Sequence, residues 1–356
     1  MYLHPLSEDH GGISPAELYQ LGIDPHALVD FSVNSNPFGP APAVLEALRK
    51  VDVSLYPDRD CDEIRRALGQ ACRVSPDQVC VGNGTAELIW LITQAFLQPG
   101  ERVLILGPTF GEYARAAAAL GAAVQEVRAS APLFDPPVDT LLAAIRRQRP
   151  RLVFLCNPNN PTGKFLPHED VEKVAQACGQ DCLMVLDEAY RSFADGQFFS
   201  SLVAENCLVL RSMTKDFALA GLRLGYALGN AAQIARLRQF QPEWSVNAYA
   251  QAAGLAALQS LDYYRKTLKE LTELKREFFL GLSTAGLMVV PSDVHFGLIT
   301  LNRPAVEIRR MLLQQSIQVR DCASFGLPDH IRVSTRREGE NVKLIEMMLS
   351  LKNVYN

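Results

Sequence analysis

Apolar positions along this chain follow two alternating rhythms. Short unbroken runs rich in Val and Leu, at 79–81, 102–106, 152–156, 183–186 and 207–210, each lead into a polar or Gly-rich turn. Such runs predict strands buried on both faces, as in a parallel sheet. Two more strands are expected at 123–127 and 224–228. Between the strands, three- and four-residue apolar spacing predicts helices over about 61–72, 86–97, 111–120, 139–148 and 168–178. Repeated strand–helix alternation specifies an α/β fold with a mostly parallel sheet covered on both faces. Long helices over about 245–281 then lead to a second unit, with strands at 296–301, 317–320 and 331–334 and helices at 304–315 and 338–351. Residues 1–50 show little periodicity beyond a short helix at 42–50. The expected division is an N-terminal arm that also joins the small domain (1–50), a large domain (51–244), and a small C-terminal domain with a bridging helix (245–356).

Composition adds exclusions. The chain has 356 residues, 48% apolar and 21% charged, with a net charge of −4 spread along its length. That balance suits a globular protein and argues against a nucleic-acid or anionic-membrane surface. No apolar run reaches a membrane span, and the first ten residues lack the basic start and apolar core of a signal peptide. Of eight cysteines only Cys178 and Cys182 are near each other, with no second pair to complete a zinc set. The expectation is a reduced, cytoplasmic protein without a metal.

Candidate chemistry sits at the strand ends, where open α/β sheets bind ligands. Lys215 follows the run 207–210 and Arg223 comes eight residues later, among small and apolar neighbours. Buried cations need an anion, although a lysine here could also snorkel to the surface. Gly82-Asn83-Gly84-Thr85 joins a strand to a helix and aims backbone N–H groups at one spot, an anion site. Asn157 to Gly163 is a rigid Pro-rich loop, and Asp187-Glu188-Ala189-Tyr190 closes another strand.

Taken together, these motifs resemble the fold-type I pyridoxal-phosphate enzymes of the class I/II aminotransferase group. Gly-Asn-Gly-Thr at 82–85, Asn-Pro-Thr-Gly at 160–163, Asp-Glu-Ala-Tyr at 187–190 and Ser-Met-Thr-Lys at 212–215 with Arg223 occur in the family's order. The resemblance implies a seven-stranded large-domain sheet and pyridoxal 5'-phosphate carried on Lys215. It places Asp187 under the ring nitrogen, Asn160 and Tyr190 at the ring hydroxyl and Phe110 on the ring face. Gly84, Thr85, Ser212 and Arg223 would hold the phosphate. Tyr56 would reach the cofactor of a second subunit, implying a homodimer with shared sites. Arg332 resembles the arginine that grips the substrate's α-carboxylate, and Arg320 a second substrate arginine of members acting on phosphorylated amino compounds.

Two subgroups compete. His10-Gly11-Gly12, the segment from Phe31 to Gly39, Trp244-Ser245-Val246-Asn247 and Arg320-Asp321-Cys322-Ala323 resemble the L-threonine-O-3-phosphate decarboxylases of cobalamin biosynthesis. The tyrosine at 190 is more like a histidinol-phosphate aminotransferase. The expectation is the decarboxylase, forming (R)-1-aminopropan-2-ol O-2-phosphate, with the aminotransferase as the alternative. His10, Gly11, Asn34 and Arg320 would then anchor the substrate phosphate, with Arg332 steering the remainder.

Overall fold

The computed structural model describes residues 12, 14–201 and 204–355. His10 and Gly11 lie outside these residues. In chain order the strands are β1 (Val29–Asp30), β2 (Val79–Gly82), β3 (Arg102–Gly107), β4 (Ala123–Arg128), β5 (Leu152–Cys156), β6 (Leu183–Asp187), β7 (Cys207–Ser212), β8 (Gly225–Leu228), β9 (Met288–Val289), β10 (Phe296–Thr300), β11 (Ile317–Gln318), β12 (Arg320–Asp321) and β13 (His330–Ser334). A seven-stranded sheet runs β2-β8-β7-β6-β5-β3-β4. Only β8 opposes its neighbours. The chain leaves β3 for the edge strand β4, then returns on the other side of β3 as β5. That reversal opens a crevice at the C-terminal strand ends.

The strands read as continuous apolar runs because both faces are covered. In β5, Val153 and Leu155 pack into one apolar layer, while Leu152, Phe154 and Cys156 pack into the other. The first layer is closed by the helices Asp62–Cys72, Val138–Gln148, His168–Cys178 and Ala248–Leu258, which contribute Ile64, Leu141, Val171 and Ala253. The second is closed by Gly84–Phe96, Glu112–Ala119 and Ala231–Phe240, through Leu88, Ala116 and Ile234. Each fully buried leucine or isoleucine here contributes about 1.5–3 kcal/mol.

A four-stranded antiparallel sheet, β12-β13-β10-β9, lies in the C-terminal third. Several elements depart from the sequence reading, three of them as follows. The stretch read as one strand at 317–320 divides at Val319: β11 pairs parallel with β1, whereas β12 pairs with β13. The chain thus crosses from one sheet to another, and N-terminal residues 29–30 dock on the C-terminal unit. The arm read as aperiodic contains a helix, Pro15–Leu21, capped by Ser14, whose hydroxyl accepts from the Glu17 amide, and closed by Gly22 in the left-handed region. The helix Ala231–Phe240 also went unread. Only Ile234 and Leu237 on it are buried, so its periodicity is faint, but Asn230 and Gln233 form a capping box at its start.

Candidate active site

The parallel strand ends gather the expected polar groups. β2 ends at Gly82 and the helix Gly84–Phe96 begins at once. Gly84 has φ +75°, and a Cβ there would stand 2.9 Å from Nη2 of Arg223. The helix start and the guanidinium are therefore in direct contact. A Cβ on Gly225 would come 2.8 Å from the backbone nitrogen of Thr85, so this strand also presses against the turn. After β7, the Ser212 and Thr214 hydroxyls bond each other at 2.6 Å. Thr85, Phe110, Asn160, Asp187, Tyr190, Ser212, Lys215 and Arg223 share one pocket of about 520 Å³, mouth included.

Lys215 keeps some solvent contact along the open pocket. Burial, then the Arg332 and Arg223 charges, push its amine down to about 8, against the pull of Asp187. Its backbone carbonyl accepts from the Asn36 amide at 2.9 Å. Asp187 is buried at the end of β6. One of its oxygens accepts the Tyr113 hydroxyl at 2.7 Å and the other accepts the Ala189 amide at 3.0 Å. Burial raises this carboxyl, while the two hydrogen bonds oppose the rise. Burial also pushes the Tyr190 hydroxyl up to about 12, leaving a neutral phenol against the Phe296 ring.

The remaining expected residues lie outside that set of pocket-lining groups. Arg332, buried on β13, donates to Asn160 Oδ1 and to the Ser32 carbonyl, so it joins the pocket wall to the N-terminal segment. Arg320 is buried on β12, donating to Ser324 Oγ at 2.6 Å with its guanidinium over the Phe325 ring. Asn34 is buried, and neither atom of its amide has a hydrogen-bond partner among the described residues. Tyr56 lies away from the pocket, 82% exposed, its ring 5.0 Å from that of Trp244. Of the glycine-rich arm, Gly12 donates to Ser32 Oγ at 2.8 Å.

Sequence reasoning missed Tyr113 and Cys156 in the pocket and the neighbouring His295, and gave Thr214, part of the 212–215 motif, no role of its own. Tyr113 lies three residues beyond Phe110, in the first turn of the helix Glu112–Ala119, and its ring meets that of Phe110 edge-on. His295 is buried, its ring centroid 3.8 Å from that of Phe193 and tilted by 32°, with neither ring nitrogen partnered among the described residues. Burial and the nearby Lys275 push it down to about 3, so it is neutral.

These groups fit pyridoxal 5'-phosphate. At one end are a helix N-terminus without a Cβ in the way, two hydroxyls and a guanidinium, which suit a phosphate dianion. A buried carboxylate with acceptor capacity left suits a protonated ring nitrogen. A lysine with a lowered amine suits an aldehyde.

The model of the aminotransferase class I and II family matches residues 26–347. The chain is 34% identical to a histidinol-phosphate aminotransferase of Symbiobacterium thermophilum over 339 residues, 94% of this chain and 93% of that one. Its fold superposes with a TM-score of 0.88 on the histidinol-phosphate aminotransferase of Sinorhizobium meliloti in complex with pyridoxal-5'-phosphate, at 26% identity and over 97% and 96% of the two chains. It also superposes on the L-threonine-O-3-phosphate decarboxylase of Porphyromonas gingivalis, with a TM-score of 0.80, 25% identity and coverage of 91% and 99%. The expectation of a decarboxylase is therefore corrected. Relatives matching over nine-tenths of the chain at 30–34% identity are histidinol-phosphate aminotransferases, and the decarboxylase is the weaker structural likeness. The short motifs that favoured it occupy few residues, and one, His10-Gly11, lies outside the described structure. From its strand-end pocket to its near full-length likenesses, the chain belongs to the class I and II aminotransferases, enzymes of pyridoxal phosphate.

Proposed function

We propose that this chain is an aminotransferase that moves an amino group between a phosphorylated amine of the histidinol-phosphate kind and a 2-oxo acid. The observation that carries this reading is the buried Arg332, one hydrogen bond from the pocket of Lys215 through Asn160, with a second buried arginine, Arg320, opposite it on the neighbouring strand. A guanidinium fork binds phosphate and carboxylate with the same geometry. One basic wall can thus accept a phosphorylated amine in one half-reaction and a dicarboxylic partner in the other, as an aminotransferase requires.

In this reading Lys215 carries the cofactor, Asp187 faces its ring nitrogen, Asn160 and Tyr190 face its ring hydroxyl, and Phe110 covers its face. Gly84, Thr85, Ser212 and Arg223 hold its phosphate. Bound there, the cofactor supplies an electron sink for the carbon that bears the amino group. An amine near pH 8 can take and return the proton on that carbon at neutral pH, so Lys215 Nζ is the acid–base group. Arg332 and Arg320 hold the distal anion, and Asn34 adds an amide with unused hydrogen-bonding capacity. Histidinol phosphate and 2-oxoglutarate, incubated with the loaded protein, are expected to yield glutamate. A folded, cofactor-loaded protein that forms none overturns the reading.

The exposed Tyr56–Trp244 pair favours a homodimer in which Tyr56 reaches a second copy's cofactor phosphate. Sedimentation should give twice the chain mass, and Tyr56→Phe should weaken cofactor binding without lowering Tm. The pairing of β1 with β11 supports residues 1–50 belonging partly to the smaller unit, with 51–244 as the cofactor-binding domain and 245–356 as the small one. Among the described residues no helix is long and apolar enough to cross a membrane, and the eight cysteines are unpaired and buried. Free thiols suit a reducing compartment such as the cytoplasm.

A further inference from the structure

Behind Asp187 lies a tyrosine that the reading above does not use. Tyr113, in the first turn of the helix Glu112–Ala119, is 1% exposed. Its ring stacks on Phe154 at 4.9 Å with an interplanar angle of 14°, and meets Phe110 edge-on at 5.6 Å. Phe154 belongs to β5 and Phe110 borders the pocket, so the phenol is clamped between the sheet and the residue expected on the cofactor's face. Its hydroxyl ends 2.7 Å from Asp187 Oδ2. Among the described residues Asp187 has one other donor, the Ala189 amide on Oδ1. Cys156, opposite Asp187 across β5 and β6, directs its thiol to the Pro158 carbonyl. Among the described residues the carboxylate therefore has two protein donors, and at 3% exposure it has little access to water as a substitute.

We infer that Tyr113 is a positioning residue, whose hydroxyl keeps Asp187 an ionised, oriented acceptor so that the proton between Asp187 and the cofactor's ring nitrogen stays on the nitrogen. The chemistry is a competition between two bases for one proton. A buried carboxylate is strongly basic unless donors stabilise its charge. A hydrogen bond to a charged group is among the stronger ones in proteins. Removing the phenol's donor leaves Asp187 with the Ala189 amide alone, and the carboxylate then draws the proton off the ring. A ring without that proton is a weaker electron sink. Burial and the Asp187 charge hold the Tyr113 phenol well above its ordinary range, so it donates throughout the working pH range.

This inference rests on the cofactor reading but not on the substrate, so its test omits substrate. The wild-type protein and Tyr113→Phe are loaded with pyridoxal phosphate labelled with nitrogen-15 in the ring, and the ring resonance is followed against pH. The pH at which the ring loses its proton is expected to fall by about one unit or more in Tyr113→Phe, the equivalent of a charged hydrogen bond. With substrate added afterwards, kcat should fall about ten-fold or more while KM holds. An unchanged ring titration in the folded variant overturns the inference, even if turnover drops. Should Tyr113→Phe fail to fold, 3-fluorotyrosine at position 113 keeps the shape and donates more strongly. It should move the ring titration upward, and no movement again overturns the inference. A wild-type protein that takes up no cofactor sinks the cofactor reading, and this inference with it, before either variant is measured.

Discussion

Arg320 and Arg332 are cross-strand partners, directly opposite on the antiparallel strands β12 and β13, and both are buried. Like charges facing each other across a ladder destabilise it. On the proposed function, a phosphate or carboxylate of the substrate would offset that cost. Two outcomes are expected. Phosphorylated substrate should raise Tm, and the rise should shrink in Arg320→Gln. Arg332→Lys keeps the charge but loses the fork. Its kcat/KM for the phosphorylated substrate should fall on the order of 10–100-fold, the worth of a hydrogen bond to a charged group. A value within about two-fold of wild type would remove Arg332 from the substrate wall.

The amine of Lys215 supplies a pH signature. Its folded value of about 8 lies below the roughly 10.4 of a free lysine. In the cofactor-free protein, the reactive neutral fraction grows as pH rises and levels off above about 8. Uptake of pyridoxal phosphate should accelerate about ten-fold from pH 6 to 7 and flatten above about pH 9. Stability follows by linkage. Between about pH 8 and 10.4 the unfolded chain binds the extra proton, so cofactor-free protein gains stability as pH rises through that window. Below it the penalty of the buried charge is fully present. Urea midpoints at pH 7.5 and 9.5 should differ by more in the wild type than in Lys215→Met.

Two glycines at the phosphate end should respond differently. Gly84→Ala places a methyl against the movable end of Arg223 and in the left-handed region, at a cost of about 1–2 kcal/mol. It should weaken cofactor affinity more than it lowers Tm. Gly225→Ala meets backbone at Thr85, which cannot step aside without moving the helix start. It should lower Tm and affinity together. Calorimetry on cofactor-free protein and a cofactor titration separate the two.

Asp216, next to the lysine, is buried with Arg211, their closest atoms 3.4 Å apart. It also accepts from Ser192 and from the Phe217 amide. Asp216→Ala leaves Arg211 buried without that carboxylate and should destabilise the fold by about 3–5 kcal/mol by denaturant titration. Burial pushes the Asp216 carboxyl up to about 6, above the roughly 3.9 of an unfolded aspartate. Between those values the folded protein binds more protons, so this group's contribution to stability falls as pH rises from about 4 to 6 and stays low above. The variant should lose that slope.

The amino-acid order by itself determined the alternation of strands and helices, and with it a parallel sheet whose C-terminal ends form the pocket. Period and turn chemistry are local, so they survive without coordinates. The motifs at 82–85, 187–190 and 212–215 were legible for the same reason, each being a strand end followed by its own turn. Tertiary structure alone decided that Tyr113 meets Asp187, which is 74 residues away in sequence, and that Arg320 opposes Arg332 rather than continuing the strand from Ile317. Register is set by the packing of whole sheets, and one residue's slip would turn either arginine to the other face. The substrate was the least legible property. A few N-terminal and C-terminal motifs pointed to a decarboxylase, whereas specificity is a difference of affinities summed over the whole pocket wall, and that wall is assembled from residues between 32 and 332 only when the chain folds.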